Sequence, residues 1–349
     1  MAEIEKGSIS IAFVREAARS LARRGLEPGP FLVRSGIPPA LLHSDFARVT
    51  PESFGALWLG IAAALDDEFF GLDARRMKVG SFTTLCHLCL GAANLREVLA
   101  RMCRCFGILL DDTRVSLQLD RAGAALVLTS RPGVAAETTV FAHETLLVMA
   151  HGLMCWLAGR RVPVRRAQFA YARPAWWREY HAVFCADLHF GTADTRLQIG
   201  ARWLDAAVVQ DRASVRPFLR GAPANFILKY RGEQSLAARV RRRLRGLPPE
   251  AWPSQEALAR ELRLGASTLH RKLEREGASF RSIKETLRRD LAIRHLTESA
   301  MSVGEIAAAV GFAEPSAFRR AFRQWTGLPP GAYRLAAKPL SGRAAGPRV

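Results

Sequence analysis

Four cysteines in the first third of the chain form two short pairs that could bind a metal ion or change redox state. They are Cys86, Cys89, Cys103 and Cys105. Four thiolates can hold zinc, but a structural zinc site needs its ligands on a turn, and this segment is predicted to be helical. Buried free cysteines otherwise behave as small apolar side chains. Core packing is therefore favoured, and a metal or redox role stays open as an alternative.

A second group of polar side chains shares one long predicted helix, from about residue 136 to residue 158. Glu144 and His151 are two turns apart on one face, whereas His143 points to another side. With Trp156, Glu144 and His151 are candidates for lining a small-molecule pocket. The favoured alternative is that they make polar contacts inside the core. The sequence contains no phosphate-binding glycine loop and no nucleophile–base motif, so no enzyme and no cofactor are predicted.

The third group consists of basic side chains that could bind phosphate. The chain has 51 Lys+Arg against 32 Asp+Glu, a net charge of +19, and residues 231–349 hold 23 of the basic and 11 of the acidic residues. An arginine-rich run, Arg239 to Arg245, begins this segment. Concentrated positive charge predicts a polyanionic partner, and the run is expected to contact phosphates rather than to read bases. A solvated helix face is the alternative for the run.

The helices that must position these basic residues have recognisable start signals. Ser254 is predicted to cap a first helix, and Ser267 to cap a second helix from Thr268 to Glu276 that Gly277 ends. A glycine-containing turn separates the two helices, which is typical of a helix-turn-helix unit. The outward face of its second helix carries His270, Arg271 and Lys272.

The same unit recurs after a longer helix. Ser279 is predicted to begin a helix of about 18 residues, which spans roughly 27 Å at 1.5 Å per residue. Ser302 and Glu305 form a capping box at the start of the next helix. Pro315 suits the first turn of a further helix that Gly327 ends. Successive major-groove segments on one face of DNA lie about 34 Å apart, so this arrangement predicts two DNA-reading helices on one chain.

The spacing of the last hundred residues resembles the signature of the AraC/XylS family of bacterial transcription factors. It is carried by Ile306-Ala307, Val310-Gly311-Phe312, Phe318, Arg320, Phe322, Gly327, Pro329 and Tyr333-Arg334. The resemblance implies an all-α DNA-binding domain with two helix-turn-helix units. The residues that it implies for DNA binding are Ser267, Thr268, His270, Arg271, Lys272, Ser316, Arg319, Arg320 and Arg323. Pro315 stands where many members have a polar residue, and Arg320 has an intramolecular ion pair as its alternative.

The first two-thirds of the chain alternate between helical and strand-like patterns. Helices are expected at 10–24, from 51, at 94–106, 136–158 and 175–183, and strands at 114–119, 125–129, 166–171, 187–190 and 196–199. These elements predict an α+β domain with helices on a small, mostly antiparallel sheet. Together with Tyr180, Phe184-Cys185 and His189-Phe190-Gly191, they resemble the effector domain of the ornithine-utilisation-regulator type within that family.

The predicted organisation is a regulatory domain at 1–204, a linker at 205–232, the DNA-binding domain at 233–336 and a flexible tail at 337–349. The resemblance implies a sequence-specific regulator, an activator in our interpretation, with promoter DNA, a small effector and RNA polymerase as partners and a homodimer formed by the N-terminal domain. The polar N-terminus predicts no secretory signal and the interrupted apolar stretches predict no membrane span, hence a cytoplasmic protein. The alternatives are a non-specific architectural DNA-binding protein and an enzyme acting on the small molecule.

Overall fold

The computed structural model describes residues 9–44, 47–227, 236–275 and 279–337, which divide into two compact units. The described part of the first unit comprises residues 15–26 and 58–227. That of the second comprises residues 9–14, 27–44, 47–57, 236–275 and 279–337. The second unit therefore combines the helices of the last third with short segments from the beginning of the chain.

The described residues form sixteen α-helices and seven strands. The helices are α1 (Ile11–Arg23), α2 (Pro28–Arg34), α3 (Pro51–Leu65), α4 (Ser81–Leu90), α5 (Leu95–Leu109), α6 (Ala136–Leu157), α7 (Glu179–Val183), α8 (Arg212–Gly221), α9 (Ala224–Ile227), α10 (Leu236–Arg245), α11 (Gln255–Glu261), α12 (Ala266–Arg275), α13 (Phe280–Glu298), α14 (Val303–Ala309), α15 (Pro315–Thr326) and α16 (Pro330–Ala337). The strands are β1 (Ile9–Ser10), β2 (Arg48–Val49), β3 (Thr113–Asp120), β4 (Gly123–Ser130), β5 (Val164–Phe169), β6 (Leu188–Phe190) and β7 (Thr195–Gly200).

A five-stranded sheet in the order β3-β4-β7-β5-β6 forms one layer of the first unit. All its pairs are antiparallel except β5 with β6. The β3–β4 turn is fixed by Asp120, whose carboxylate accepts the backbone N–H groups of Ala122 and Gly123 at 2.7 and 2.8 Å. The predicted fold class, helices on a small and mostly antiparallel sheet, is confirmed for this unit.

The long helix α6 is the core helix of the first unit. It has 22 residues and is apolar enough to pass a length-and-composition test for a membrane span, but 89% of its apolar window is buried inside the protein. His143 fastens it to the sheet, with Nε2 3.0 Å from the Ser130 hydroxyl and Nδ1 2.8 Å from the Thr195 hydroxyl. The apolar character of α6 is therefore explained by packing within the unit.

The described part of segment 205–232, which we interpreted as a linker, contains two helices that pack on the first unit. Asp211 and Ser214 form a capping box at the start of α8. Phe218 of α8 stacks on Trp156 with ring centroids 4.2 Å apart, and Phe226 of α9 lies 5.0 Å from Phe82. Residues 228–235 lie outside the described part of the chain.

The second unit contains both predicted helix-turn-helix pairs, α11–α12 and α14–α15, joined by α13. The predicted caps Ser254, Ser279 and Ser302 each accept a backbone N–H from the third residue that follows. Gly327 ends α15 with a φ of 79°, a conformation that glycine adopts without strain. The prediction for the second helix-turn-helix pair is therefore confirmed at its start and its end.

Two predicted helix starts are wrong. The Gly265 carbonyl accepts the Leu269 N–H at 2.9 Å, so α12 begins at Ala266 and Ser267 lies in its first turn instead of capping it. The helix predicted at 175–183 begins only at Glu179, after turns that follow Pro174. Gly277, the predicted end of α12, lies outside the described residues.

Candidate nucleic-acid interface and effector site

The second helix of each helix-turn-helix pair has one buried apolar face. Leu269 and Leu273 of α12 are fully buried, as are Phe318 and Phe322 of α15. This burial fixes the rotation of both helices about their own axes, because residues three and four apart share one face. The polar residues between the buried ones must therefore face outward.

On α12, four of the five residues implied in DNA binding are exposed. These are Ser267, His270, Arg271 and Lys272, whereas Thr268 is half-buried. His270 Nε2 lies 3.3 Å from Glu274 Oε1, one turn further along the same helix. Arg271 and Lys272 make no side-chain hydrogen bond or ion pair with another described residue. The first helix-turn-helix pair thus presents basic groups whose charge no described residue neutralises.

On α15, all four residues implied in DNA binding are exposed: Ser316, Arg319, Arg320 and Arg323. Within the described part of the chain, none of the three arginine side chains has a hydrogen-bond or ion-pair partner. The intramolecular bridge that we considered for Arg320 is therefore absent among these residues. Pro315 occupies the first helical position, where its missing N–H costs no helical hydrogen bond.

Helix α13 and one arginine connect the two helix-turn-helix pairs. The 19 residues of α13 span about 28 Å. The Arg288 guanidinium lies over the rings of Trp252 at 5.6 Å and Phe312 at 5.4 Å, and Nη2 donates to the Gly311 carbonyl at 3.4 Å. Trp252 packs with the first pair, and Phe312 lies in the turn of the second. The Arg288 side chain thus contacts both pairs, a contact that the sequence did not reveal.

The strongest polar cluster of the first unit surrounds Glu144 on α6. Glu144 is 2% exposed, and its Oε1 accepts hydrogen bonds from Trp176 Nε1, at 2.7 Å, and from the Tyr180 hydroxyl. Its Oε2 has no hydrogen-bond partner among the described residues. Burial raises the pKa of Glu144 to about 8, although the two hydrogen bonds oppose that shift.

Comparison with known protein families gives two matches. Residues 25–208, more than half of the chain, match the family described as the arabinose-binding domain of AraC transcription regulator, N-terminal. Residues 258–336 match a helix-turn-helix domain family. The chain belongs to the AraC family of transcription regulators. Its fold class, an α+β effector domain followed by an all-α DNA-binding domain, follows the prediction from the sequence.

Individual relatives of this AraC-family regulator cover nearly its full length. The ornithine utilization regulator of Pseudomonas aeruginosa is 28% identical over 330 residues, covering 94% of this chain and 96% of that protein. The HTH-type transcriptional regulator VirS of Mycobacterium tuberculosis is 29% identical over 326 residues, covering 89% and 91%. The crystal structure of the transcriptional regulator CdpR from Pseudomonas aeruginosa covers 92% of this chain and 97% of that one, at 20% identity. Its TM-score is 0.32.

The other effector candidates of this AraC-family regulator have partners inside the core. His151 Nε2 lies 2.7 Å from the Val162 carbonyl, and Trp156 is stacked on Phe218. Burial lowers the pKa of His143 to about 4, so this histidine is neutral at physiological pH. The favoured interpretation of both histidines, satisfied polar contacts in the core, is confirmed. Of the three candidates for binding effector, Glu144 has a fully buried side-chain oxygen, Oε2, without a hydrogen-bond partner among the described residues.

The arginine-rich run on α10 differs from the prediction at two positions. Arg241 is only 8% exposed, and Arg243 Nε donates to Glu261 Oε2 at 2.8 Å. The expectation that the whole run contacts phosphate is therefore wrong for Arg241, because a buried side chain cannot reach DNA. Arg239, Arg242 and Arg245 are exposed.

The four cysteines of α4 and α5 have the environment of core residues. Cys86, Cys89 and Cys105 are buried, and burial raises the pKa of Cys89 to about 12 and that of Cys103 to about 11. Metal binding and redox reactions both need the thiolate, which these raised pKa values disfavour. Among the described residues, no group of three or more potential ligands is placed to hold a metal ion.

Proposed function

We propose that this AraC-family regulator reads two successive major-groove segments of promoter DNA with α12 and α15. The supporting observation is that both helices present exposed basic side chains that have no partner among the described residues, while α13 joins the two pairs and Arg288 contacts both. The length of α13, about 28 Å, is close to the roughly 34 Å between successive major-groove segments on one face of DNA. Each chain would then contact two segments without needing a second chain.

Within this proposal, Arg271 and Arg319 are the principal base-reading residues. Arginine pairs with the O6 and N7 atoms of guanine through two hydrogen bonds, which is the commonest specific contact in the major groove. Ser267, His270 and Ser316 are assigned to neighbouring base edges. Thr268, Lys272, Arg320 and Arg323 are assigned to the phosphates on either side.

The first unit is an effector domain of the arabinose-binding type, and the regulator responds through it to a small molecule. We infer that the effector shifts the protein toward its DNA-competent state, which requires tighter binding to that state than to the other. We further infer that the protein acts in the cytoplasm as an activator through RNA polymerase, forms a homodimer through the first unit and catalyses no reaction.

Substitution of Arg319 tests the assignment of the reading helix. Arg319→Ala should weaken binding to the cognate site by about 1–3 kcal/mol and reduce the preference for that site over scrambled DNA. Arg294→Ala on α13 removes the same charge from an exposed arginine outside both reading helices, and it is the matched control. Both variants are measured by fluorescence anisotropy on the two DNAs. If Arg319→Ala weakens binding to both DNAs equally, Arg319 contacts phosphate and does not read a base.

A non-specific architectural role is distinguished by the same titration. The high net charge alone would support that role, because phosphate contacts do not depend on sequence. Such a protein would bind the DNA upstream of its own gene and scrambled DNA with equal affinity. A sequence-specific regulator prefers the cognate site by a factor of about 10³ or more at physiological salt.

A further inference from the structure

The first unit contains a groove of about 400 Å³ between α4 and α8 that has no role in the function proposed above. Its lining consists of three arginines, one histidine and two aliphatic side chains: Arg212, Arg216, Arg220, His87, Val215 and Leu219. Small-molecule sites in proteins typically enclose about 300–1,000 Å³. The volume of the groove lies in this range, and the groove is open to solvent on one side.

The three arginines form a row on one face of α8. They are spaced four residues apart, so the row extends over about 12 Å. Like charges at this spacing repel one another and destabilise the helix. All three are exposed, and in the part of the chain that the structure describes none has a hydrogen-bond or ion-pair partner. Asp211, the nearest carboxylate along the chain, is occupied by the backbone N–H of Ser214. The row thus carries a positive charge that the described residues do not balance.

The side chains beneath the arginines are apolar and pack against the core of the first unit. Val215 is 2% exposed, and Leu219 is half-buried beside it. Phe218, on the buried side of α8, is stacked on Trp156. His87 is exposed on α4 at the opposite wall. A basic rim above an apolar floor differs from a phosphate-binding surface, which needs positive charge but no apolar contact area.

We propose that this groove binds a small carboxylic acid with an apolar body, and that this acid is the effector. The carboxylate would accept paired hydrogen bonds from one or two of the arginines, which are stronger than bonds between neutral groups. The apolar body would lie on the half-buried Leu219, above the buried Val215. This inference rests on the proposed function, because a regulator without an effector would have no use for the site.

The place of the groove in the sequence suggests how occupancy would be transmitted. Helices α8 and α9 are the last described elements before α10, the first helix of the C-terminal part of the second unit. A bound carboxylate would neutralise the repulsion along α8 and stabilise its packing on α4. Ligand binding stabilises whichever state holds the ligand, so the segment that leads to the DNA-binding domain would be held in one arrangement.

Isothermal titration calorimetry on the full chain tests the binding step. The probes are octanoate, suberate with a carboxylate at each end, and octanamide as the uncharged analogue of octanoate. Octanoate and suberate should bind with Kd values of about 1 mM or tighter. Octanamide should bind at least tenfold more weakly than octanoate. The double variant Arg216→Ala/Arg220→Ala should lose at least tenfold in affinity for both acids.

Arg104→Ala is the matched control, because Arg104 is an exposed arginine on α5, outside the groove. This variant should bind both acids like the unmodified chain. Failure of both acids to bind, equal binding of octanamide, or full retention of binding by the double variant would overturn the inference.

DNA binding without the acids separates this inference from the proposed function. The double variant should bind cognate DNA with unchanged affinity and an unchanged salt dependence. If the double variant binds cognate DNA more weakly and with a shallower salt dependence, the arginine row contacts DNA phosphates, and the carboxylate site is overturned. If octanoate binds but leaves the affinity for DNA unchanged, the site is supported and its role as effector site is overturned. In that case the assignment of α12 and α15 to DNA is unaffected.

Discussion

The buried carboxyl group of Glu144 should make the stability of the first unit fall as the pH rises. The pKa of this group is about 8 in the folded protein, against an ordinary value of 4.5. Between these two values the folded state holds a proton that the unfolded chain has released. The contribution of this proton is complete below the unfolded pKa and is lost as the pH rises through 8.

The magnitude follows from the width of this pH window. Each pH unit between the two pKa values corresponds to about 1.4 kcal/mol of unfolding free energy. Between pH 6 and pH 9, titration of Glu144 is expected to lower the free energy of unfolding by about 2–3 kcal/mol. Most of this loss occurs below the folded pKa. The groups that face the carboxyl include Tyr180, Trp176 and the buried Glu16, whose charge raises the pKa of Glu144 further.

Glu144→Gln provides the comparison, because an amide oxygen can still accept the hydrogen bonds from Trp176 and Tyr180 but does not titrate. Urea unfolding followed by tryptophan fluorescence at pH 6 and pH 9 gives the loss for each protein. The difference between the two losses reports the titration of Glu144 together with its coupling to Glu16. An identical pH dependence in the two proteins would refute the account of a neutral buried carboxyl group.

Two further predictions concern packing in each unit. Arg288→Met retains an apolar stem but removes the charge between two aromatic rings. It should weaken binding to a two-segment operator by about 1–3 kcal/mol and change binding to a single-segment DNA little. Fluorescence anisotropy on the two DNAs measures both affinities. Equal losses on both DNAs would contradict a role in spacing. Gly152→Ala should destabilise the first unit by about 1–3 kcal/mol in urea unfolding, because its Cβ would lie 2.4 Å from Phe226 Cβ. Gly107→Ala, on α5 with nothing within 4 Å of its Cβ, is the control and should be neutral or stabilising; equal effects would contradict close packing at Gly152.

The second unit was the more predictable part of the chain from sequence. Its helix starts depend on local chemistry, such as the Ser302–Glu305 capping box, which acts within one turn and can be recognised without tertiary information. The cap at Ser267 was misassigned because Gly265 can begin a helix as well as interrupt one. Such choices between neighbouring start residues are decided by the fold, not by the local sequence.

Segment 205–232 shows how tertiary packing overrides a local signal. Pro217, Gly221 and Pro223 indicate a break in regular structure, yet α8 continues through Pro217. The capping box at Asp211 and the burial of Phe218 against Trp156 outweigh the lost backbone hydrogen bond. The sequence contains the capping residues, but the stacking partner lies about sixty positions earlier in the chain and could not be identified from spacing.

Arg288 and the groove on α8 could not be predicted for the same physical reason. Arg288 contacts Trp252, which packs with the first helix-turn-helix pair, and Phe312 of the second pair, and the groove needs α4 beside α8. Both depend on elements that are distant along the chain. A row of arginines at four-residue spacing is visible in the sequence, but by itself it is typical of a solvated helix face.

The central claim is that one chain reads two groove segments with two helices, and methylation protection of guanine N7 tests it most directly. On DNA upstream of its own gene, the protein should protect two clusters of guanines about one helical turn apart on one face of the duplex. Arg271→Ala should abolish protection of one cluster, and Arg319→Ala should abolish protection of the other. A single protected cluster, or the loss of both clusters in either variant, would contradict two independent reading helices.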